Sequence, residues 1–259
     1  MSNSARTAAI ARLRPVVERA RRNEGWDFGH LGARVVGAES GADPSTGLPW
    51  DYIARARVLA SKSRRVLDLG TGGGERLSEI AAGIVATEQW HVNAPIAARR
   101  LAAREVPVVR AAVDSAIPFA NASFNLVLSR HEGLDPAEVV RVLAPDGSFL
   151  TQQVDQGNWK ELARHFPRKL DWGDHGTRYA SVLESAGYAV DLRRAEYRVA
   201  YRSLEDFVFM VAAAPWDLPD FGLDGDIDAW LAFERDCTTT DGLVVTEGRY
   251  LLEARVADR

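Results

Sequence analysis

The chain has 259 residues, 46% hydrophobic and 26% charged, which supplies a full apolar core and excludes collagenous, coiled-coil and wholly disordered classes. A formal charge of −4 gives no global attraction to a polyanion, and one cysteine, Cys237, forbids an internal disulfide and a cysteine-rich metal site. No apolar run reaches the roughly 20 residues of a membrane span, and the first residues lack the apolar stretch of a secretory signal, so a cytoplasmic protein is expected.

Residues 5–22 place Ile10, Leu13, Val16 and Val17 on one helical face, with arginines elsewhere. Residues 25–49 are rich in Gly, Pro, Ser and Asp and read as a long irregular segment, of the kind that serves as a lid or binding loop. Residues 51–59 read as helix again. From Arg64 short apolar runs alternate with helical stretches: strands at 66–69, 84–87, 106–109, 124–128 and 148–151, and helices at 76–82, 95–104 and 136–143. Alternation of this kind argues a parallel sheet covered on both faces. The tail adds a helix at 176–186, a strand at 189–199, helical stretches at 204–214 and 227–233, and a last strand at 250–256. The expected fold is α/β, a doubly wound, mostly parallel sheet of about seven strands with helices on both faces. All of 1–259 reads as a single domain. Residues 1–60 form an N-terminal helical lid, 61–155 the core, and 156–259 the C-terminal half of the sheet with a helical insert at about 201–240.

The strongest chemical signal is Val66-Leu67-Asp68-Leu69-Gly70-Thr71-Gly72-Gly73-Gly74-Glu75, a buried strand running into four glycines within five positions. Glycine permits positive φ and lets backbone approach a ligand that any Cβ would repel. The helix expected next would offer free amide donors and the positive end of its dipole. A dinucleotide fingerprint counted from Gly70 requires glycine at position 75, where Glu75 stands, and no lysine follows to make a phosphate loop. The ligand should therefore lack a pyrophosphate. Glu88 closes the second strand, 18 residues beyond Gly70, where an acid accepts hydrogen bonds from both hydroxyls of a ribose. A nucleoside without a phosphate chain points to S-adenosylmethionine.

At these residues the sequence resembles the class I S-adenosylmethionine-dependent methyltransferases, of the type 11 kind, over roughly residues 60–155. Asp68-x-Gly70-x-Gly72-x-Gly74 is similar to the family's first motif and Glu88 to its ribose-binding acid. The stretches Ile117-Pro118-Phe119 to Val127 and Arg141 to Phe149 resemble the approaches to its fourth and fifth strands. The resemblance implies a Rossmann-like fold with a cofactor-binding core over 61–155. It also implies that Asp68, Gly70, Thr71, Gly72 and Gly74 hold the methionine portion and that Val113-Asp114-Ser115 flank the adenine. Gln89, beside the acid, and Ser129 complete the expected cofactor set. The family's adenine-side acid stands five residues before the proline, a place held here by Val113, with Asp114 one later.

In this family the loop after the fourth strand, here Ser129-Arg130-His131-Glu132, faces the transferred methyl group. His131 is thus the candidate base, since histidine titrates near neutrality; the alternative is a histidine that only positions cofactor or loop. Alignment alone also drives methyl transfer. Trp26, Trp50 and Tyr52 would line an acceptor pocket or pack beneath the lid, and Trp216, Trp230 and Phe233 invite the same two readings. His165, Asp171, Asp174 and His175 have no ligand spacing, so no metal is expected. The loop lacks the Asn/Asp-Pro-Pro-aromatic run of amino-methylating nucleic-acid enzymes, and Cys237 lies far from it in sequence. The expected partner is a small-molecule methyl acceptor, methylated on O or N. RNA is the alternative, through Arg99, Arg100, Arg104 and the N-terminal arginines, and a third is a cofactor binder that transfers nothing.

Overall fold

Val66-Leu67-Asp68-Leu69 is buried at every position, as a strand covered on both faces must be. It belongs to a computed structural model that describes residues 3–38, 41–80, 83–167, 169 and 173–257. In chain order the elements are α1 (Asn3–Ala20), β1 (Arg34–Val36), α2 (Tyr52–Ala60), β2 (Val66–Leu69), β3 (Ile84–Thr87), α3 (Asn93–Leu101) and β4 (Val108–Val109). Then follow β5 (Phe124–Arg130), α4 (Pro136–Val142), β6 (Leu143–Val154), α5 (Lys160–His165) and α6 (His175–Ser185). The chain continues with β7 (Tyr188–Tyr201), α7 (Leu204–Ala213), α8 (Leu223–Cys237), β8 (Thr238–Thr239) and β9 (Gly242–Val256). Aspartates cap several helices in the expected way: Asp51 accepts from the Ala54 amide at 2.9 Å and Asp135 from that of Ala137 at 2.9 Å.

The strands form one sheet in the order β1-β7-β9-β6-β5-β2-β3-β4, with β8 folded back on β9. From β4 to β6 all pairings are parallel, whereas β9, β7 and β1 add an antiparallel edge. The strand order reverses between β2 and β5, which makes the carboxyl ends of these two strands the switch point where ligands bind in such sheets. The result is a Rossmann-like sheet of nine strands among the described residues, two more than the pattern suggested. The additions are β1, which lies inside the irregular segment and pairs with β7 alone, and the two-residue β8.

The N-terminal arm packs away from the switch point. Leu13, Val16 and Val17 of α1 share a core with Phe207, Val211, Trp230 and Phe233 of α7 and α8. Around that core Arg6 pairs with Asp228, Arg12 with Glu234 at 2.9 Å, and Arg14 with Asp224 at 2.8 Å. These exposed pairs are worth little in stability. They do engage three of the N-terminal arginines, Arg6, Arg12 and Arg14. Gly25 and Trp50 both reach the carboxyl edge of the sheet. The Gly25 amide donates to Asn93 Oδ1 at 3.0 Å, and Trp50 Nε1 donates to Gln152 Oε1 at 2.9 Å. No helix among the described residues is long and apolar enough to cross a membrane.

Candidate functional site

At the end of β2 the chain turns through Gly70 and Gly72, with φ of +69° and +62°. Both conformations favour glycine, and both close approaches require it. A Cβ on Gly70 would stand 2.3 Å from Cγ of Glu132, and one on Gly72 would stand 2.7 Å from Cδ1 of Trp26. Gly74 faces Leu101 and Ala97 of α3, so its role is packing. The helix expected over 76–82 is replaced by a single 3-10 turn, Leu77–Glu79, with residues 81 and 82 outside the described set. Glycines at 73 and 74 are poor helix formers, and Glu75 turns to Arg100 at 2.5 Å. There is accordingly no helix dipole here, and the turn's donors are held by β3. The Thr71 amide donates to the Thr87 carbonyl at 2.9 Å, and the Gly72 amide donates to Glu88 Oε2 at 2.6 Å.

Glu88 is buried at the tip of β3, and its other oxygen accepts from the Trp90 amide at 2.7 Å. Each carboxylate oxygen retains acceptor capacity, so the side chain braces the turn and still offers lone pairs beside it. Asp68 and Glu132 complete an acidic cluster. Burial pushes the Asp68 carboxyl up to about 7, and the charge of Glu88 adds to the shift. Burial likewise raises Glu132 to about 7, with Glu88, Asp114 and Asp68 contributing repulsion. Gln89 Nε2 holds Glu132 Oε1 at 2.7 Å, a bridge from the end of β3 to the loop after β5. Thr71 Oγ1 is buried against Asp68 and draws its pKa down. Tyr52 OH, also within electrostatic reach of Asp68, is buried beside the Ser129 backbone. This concentration of carboxylates fits a polar ligand that carries positive charge.

On the other side of the switch point, β5 delivers Arg130 and then His131, whose φ of +58° is strained for a side-chain-bearing residue. The Trp50 donor on Gln152 Oε1 turns the Gln152 amide so that its Nε2 faces Nε2 of His131 at 3.4 Å. That orientation keeps the lone pair on His131 Nε2 and the proton on Nδ1. His131 is accessible to solvent but walled in by protein. Burial, with the charges of Arg130 and Arg249, pushes its pKa well below the usual histidine value.

The structure thus brings Asp68, Gly70, Thr71, Gly72, Glu88 and Gln89 together, with His131 across the switch point. Val113 faces the core, and Ser129 is buried within the sheet, where its hydroxyl accepts from Gln153 Nε2 at 3.3 Å. Asp114 and Ser115 stand exposed beyond β4. Trp50 and Tyr52 lie at the site, and Trp216 backs Trp26 with ring centroids 5.5 Å apart, while Trp230 and Phe233 belong to the core. The sequence pattern gave no role to Glu132, which lies one residue past the histidine, or to Gln152. Two cavities, of about 320 Å³ around His165 and Cys237 and about 790 Å³ around Lys160 and Arg194, lie away from the turn. Among the described residues no cluster of His, Cys, Asp and Glu is placed to hold a metal; Asp171 lies outside them.

Residues 67–151 match the family model described as a methyltransferase domain, so the class I resemblance read at the glycine turn holds over this stretch. No curated protein sequence matches the chain. Among solved structures it is similar to a functionally unknown protein from Deinococcus radiodurans R1, with 19% identity, TM-score 0.58, and 87% of this chain and 91% of that one covered. It is also similar to a provisionally assigned methyltransferase from Bacillus halodurans C-125, with 18% identity, TM-score 0.52, and 80% and 99% covered. The [4+2]-cyclase SpnF, 16% identical with TM-score 0.51, is aligned over 97% of this chain and 93% of its own. At such identities the likeness extends to the fold alone.

Proposed function

We propose that this chain binds S-adenosylmethionine at the turn after β2 and transfers its methyl group to oxygen or nitrogen of a small-molecule acceptor. The observation that carries the reading is the Glu88 carboxylate at the switch point, bonded to the Gly72 amide at 2.6 Å beside a turn that no Cβ can enter. The buried Thr71 and Tyr52 hydroxyls beside Asp68 support it further. S-adenosylmethionine, when bound, supplies a methyl group made electrophilic by a sulfonium centre. The chain's own part is to bind, orient and manage a proton. Glu88 accepts from the ribose hydroxyls, and the carboxylates of Asp68 and Glu132 favour a cationic ligand over a neutral one. His131 is the base of this reading: its Nε2 lone pair, which here accepts from Gln152 Nε2 at 3.4 Å, takes the acceptor's proton once the acceptor displaces that contact, with Gln152 and Trp50 fixing the tautomer as positioning residues. Engagement of Arg6, Arg12 and Arg14 by α8 supports a small acceptor over RNA.

Calorimetric titration with S-adenosylmethionine tests the site, and a labelled-methyl assay against metabolite and RNA pools tests transfer. No binding would sink the proposal. Binding without any labelled product would favour a chain that only holds the cofactor, a use compatible with a fold shared with a [4+2]-cyclase. Substituting His131 by alanine is expected to lower turnover by about 10²–10⁴-fold at unchanged cofactor affinity; retained turnover would dismiss the base.

Acid–base coupling supplies another expected result. Because Asp68 and Glu132 titrate at about 7, lowering the pH from 8 to 6 removes negative charge that faces the ligand. Affinity for S-adenosylmethionine should fall by about tenfold over that range, and affinity for the uncharged S-adenosylhomocysteine by much less. Folding stability runs the other way. The stability from these raised pKa values is complete below the ordinary carboxylate range and is lost as pH rises through 7. Calorimetry and thermal melting at both pH values read the two trends.

A further inference from the structure

Many of the chain's arginines hold carboxylates, among them Arg12, Arg14, Arg55, Arg100, Arg141, Arg194, Arg202 and Arg249. Arg130 is different. It ends β5, one residue before His131 and in register with Gln152, and it is partly buried. Among the described residues its guanidinium forms no hydrogen bond and no ion pair, although it stands within electrostatic reach of Arg76, Asp68, Tyr52, Tyr197 and Arg249. Two other cations lie within that reach: Arg76 pairs with Glu79 at 3.1 Å, and Arg249 is neutralised by Glu247 at 2.7 Å and donates to Asn158 Oδ1 at 2.7 Å. Tyr197 and Tyr201 also donate to Glu247, so that network is closed. What remains beside His131 is one five-donor fork, with the buried Tyr52 hydroxyl from the start of α2 within its electrostatic reach.

The geometry points to a carboxylate-binding subsite for the methyl acceptor, in which Arg130 grips the carboxylate bidentately and Tyr52 OH donates a third hydrogen bond. This inference rests on the reading of the glycine turn as the cofactor's place. Arg130 lies across the switch point from Glu88, on the side of the base, so a carboxylate held there leaves the rest of the acceptor beside His131 Nε2. A planar fork suits a planar carboxylate. A single uncompensated positive charge matches a monoanion, whereas a phosphate dianion would call for a second free cation. The side chain also sits near the acid Asp68 without pairing to it, which keeps the fork available.

The test uses the full chain with benzoate, its neutral isostere benzamide and phenyl phosphate as probes, with and without S-adenosylhomocysteine, followed by tryptophan fluorescence and calorimetry. Benzoate is expected to bind, benzamide and phenyl phosphate to bind at least about tenfold more weakly, and Arg130→Gln to weaken benzoate about tenfold or more. Tyr52→Phe should cost a few-fold and Arg130→Lys an intermediate loss, with S-adenosylmethionine affinity unchanged in both Arg130 variants. Equal binding of benzoate and benzamide, preference for phenyl phosphate, or an undiminished benzoate affinity in Arg130→Gln would overturn the subsite. A large loss of S-adenosylmethionine affinity in that variant would also overturn it, by giving Arg130 to the cofactor's own carboxylate. Failure of the wild type to bind S-adenosylmethionine instead sinks the underlying reading, while the benzoate titration without cofactor still reports on Arg130. Melting curves guard against misfolding, and the lysine variant keeps the charge if the glutamine variant melts early.

Discussion

Replacing Trp230 by alanine is expected to destabilise the chain by about 3–5 kcal/mol. Its ring is fully buried among Phe166, Phe207, Phe221 and Phe233, with centroid separations of 4.6, 6.3, 5.7 and 5.8 Å. Four aromatic neighbours cannot collapse into the space left, so the loss combines burial with an open cavity. The indole nitrogen forms no hydrogen bond, and removing it leaves no partner stranded. For a chain of this size the melting temperature should drop by on the order of 10 °C. Thermal melting at constant pH measures the change, and a shift below about 1 kcal/mol would show that α8 does not anchor the cluster. The core in question is formed by α1, α7 and α8, so the variant also asks whether both appendages fold as one cooperative unit with the sheet.

Glu88→Ala should weaken S-adenosylmethionine binding by about 1–3 kcal/mol. The substitution removes the acceptor proposed for the ribose hydroxyls, and it also frees the Gly72 and Trp90 amides that the carboxylate holds at 2.6 and 2.7 Å. Hydrogen bonds to a charged acceptor are stronger than neutral ones, so Glu88→Gln should fall between the two. Calorimetry on the three proteins reads the series. Unchanged affinity in the alanine variant would remove Glu88 from the site and with it the nucleoside reading, even if the protein remained folded.

What could be read from the sequence followed from locality. The strand, the glycines and the acid at its spacing lie within 23 residues, from Val66 to Glu88, and short-range pattern fixes their order. The parallel strands announced themselves as unbroken apolar runs because they are covered on both faces. β1 did not, since Arg34-Val35-Val36 carries no alternation and gains strand form only by pairing with Arg198 to Ala200, far along the chain. β9 begins at Gly242, eight residues before the expected start at Tyr250, because Glu247, Gly248 and Arg249 interrupt its apolar pattern while Glu247 and Arg249 pair with each other. The site divides the same way. Asp68, the glycines and Glu88 were evident locally, whereas the placement of Glu132 on Gly70 and Trp26 on Gly72 depends on contacts across 62 and 46 residues.

Trp26 reaches Gly72 from the segment that precedes the sheet, and Trp216 braces it from between α7 and α8. Since α1 is itself packed on those two helices, the threshold of the turn is guarded jointly by sequence from opposite ends of the chain. One indole thus ties the turn's backbone to the packing of α7 and α8, though the segments it joins are never adjacent in sequence.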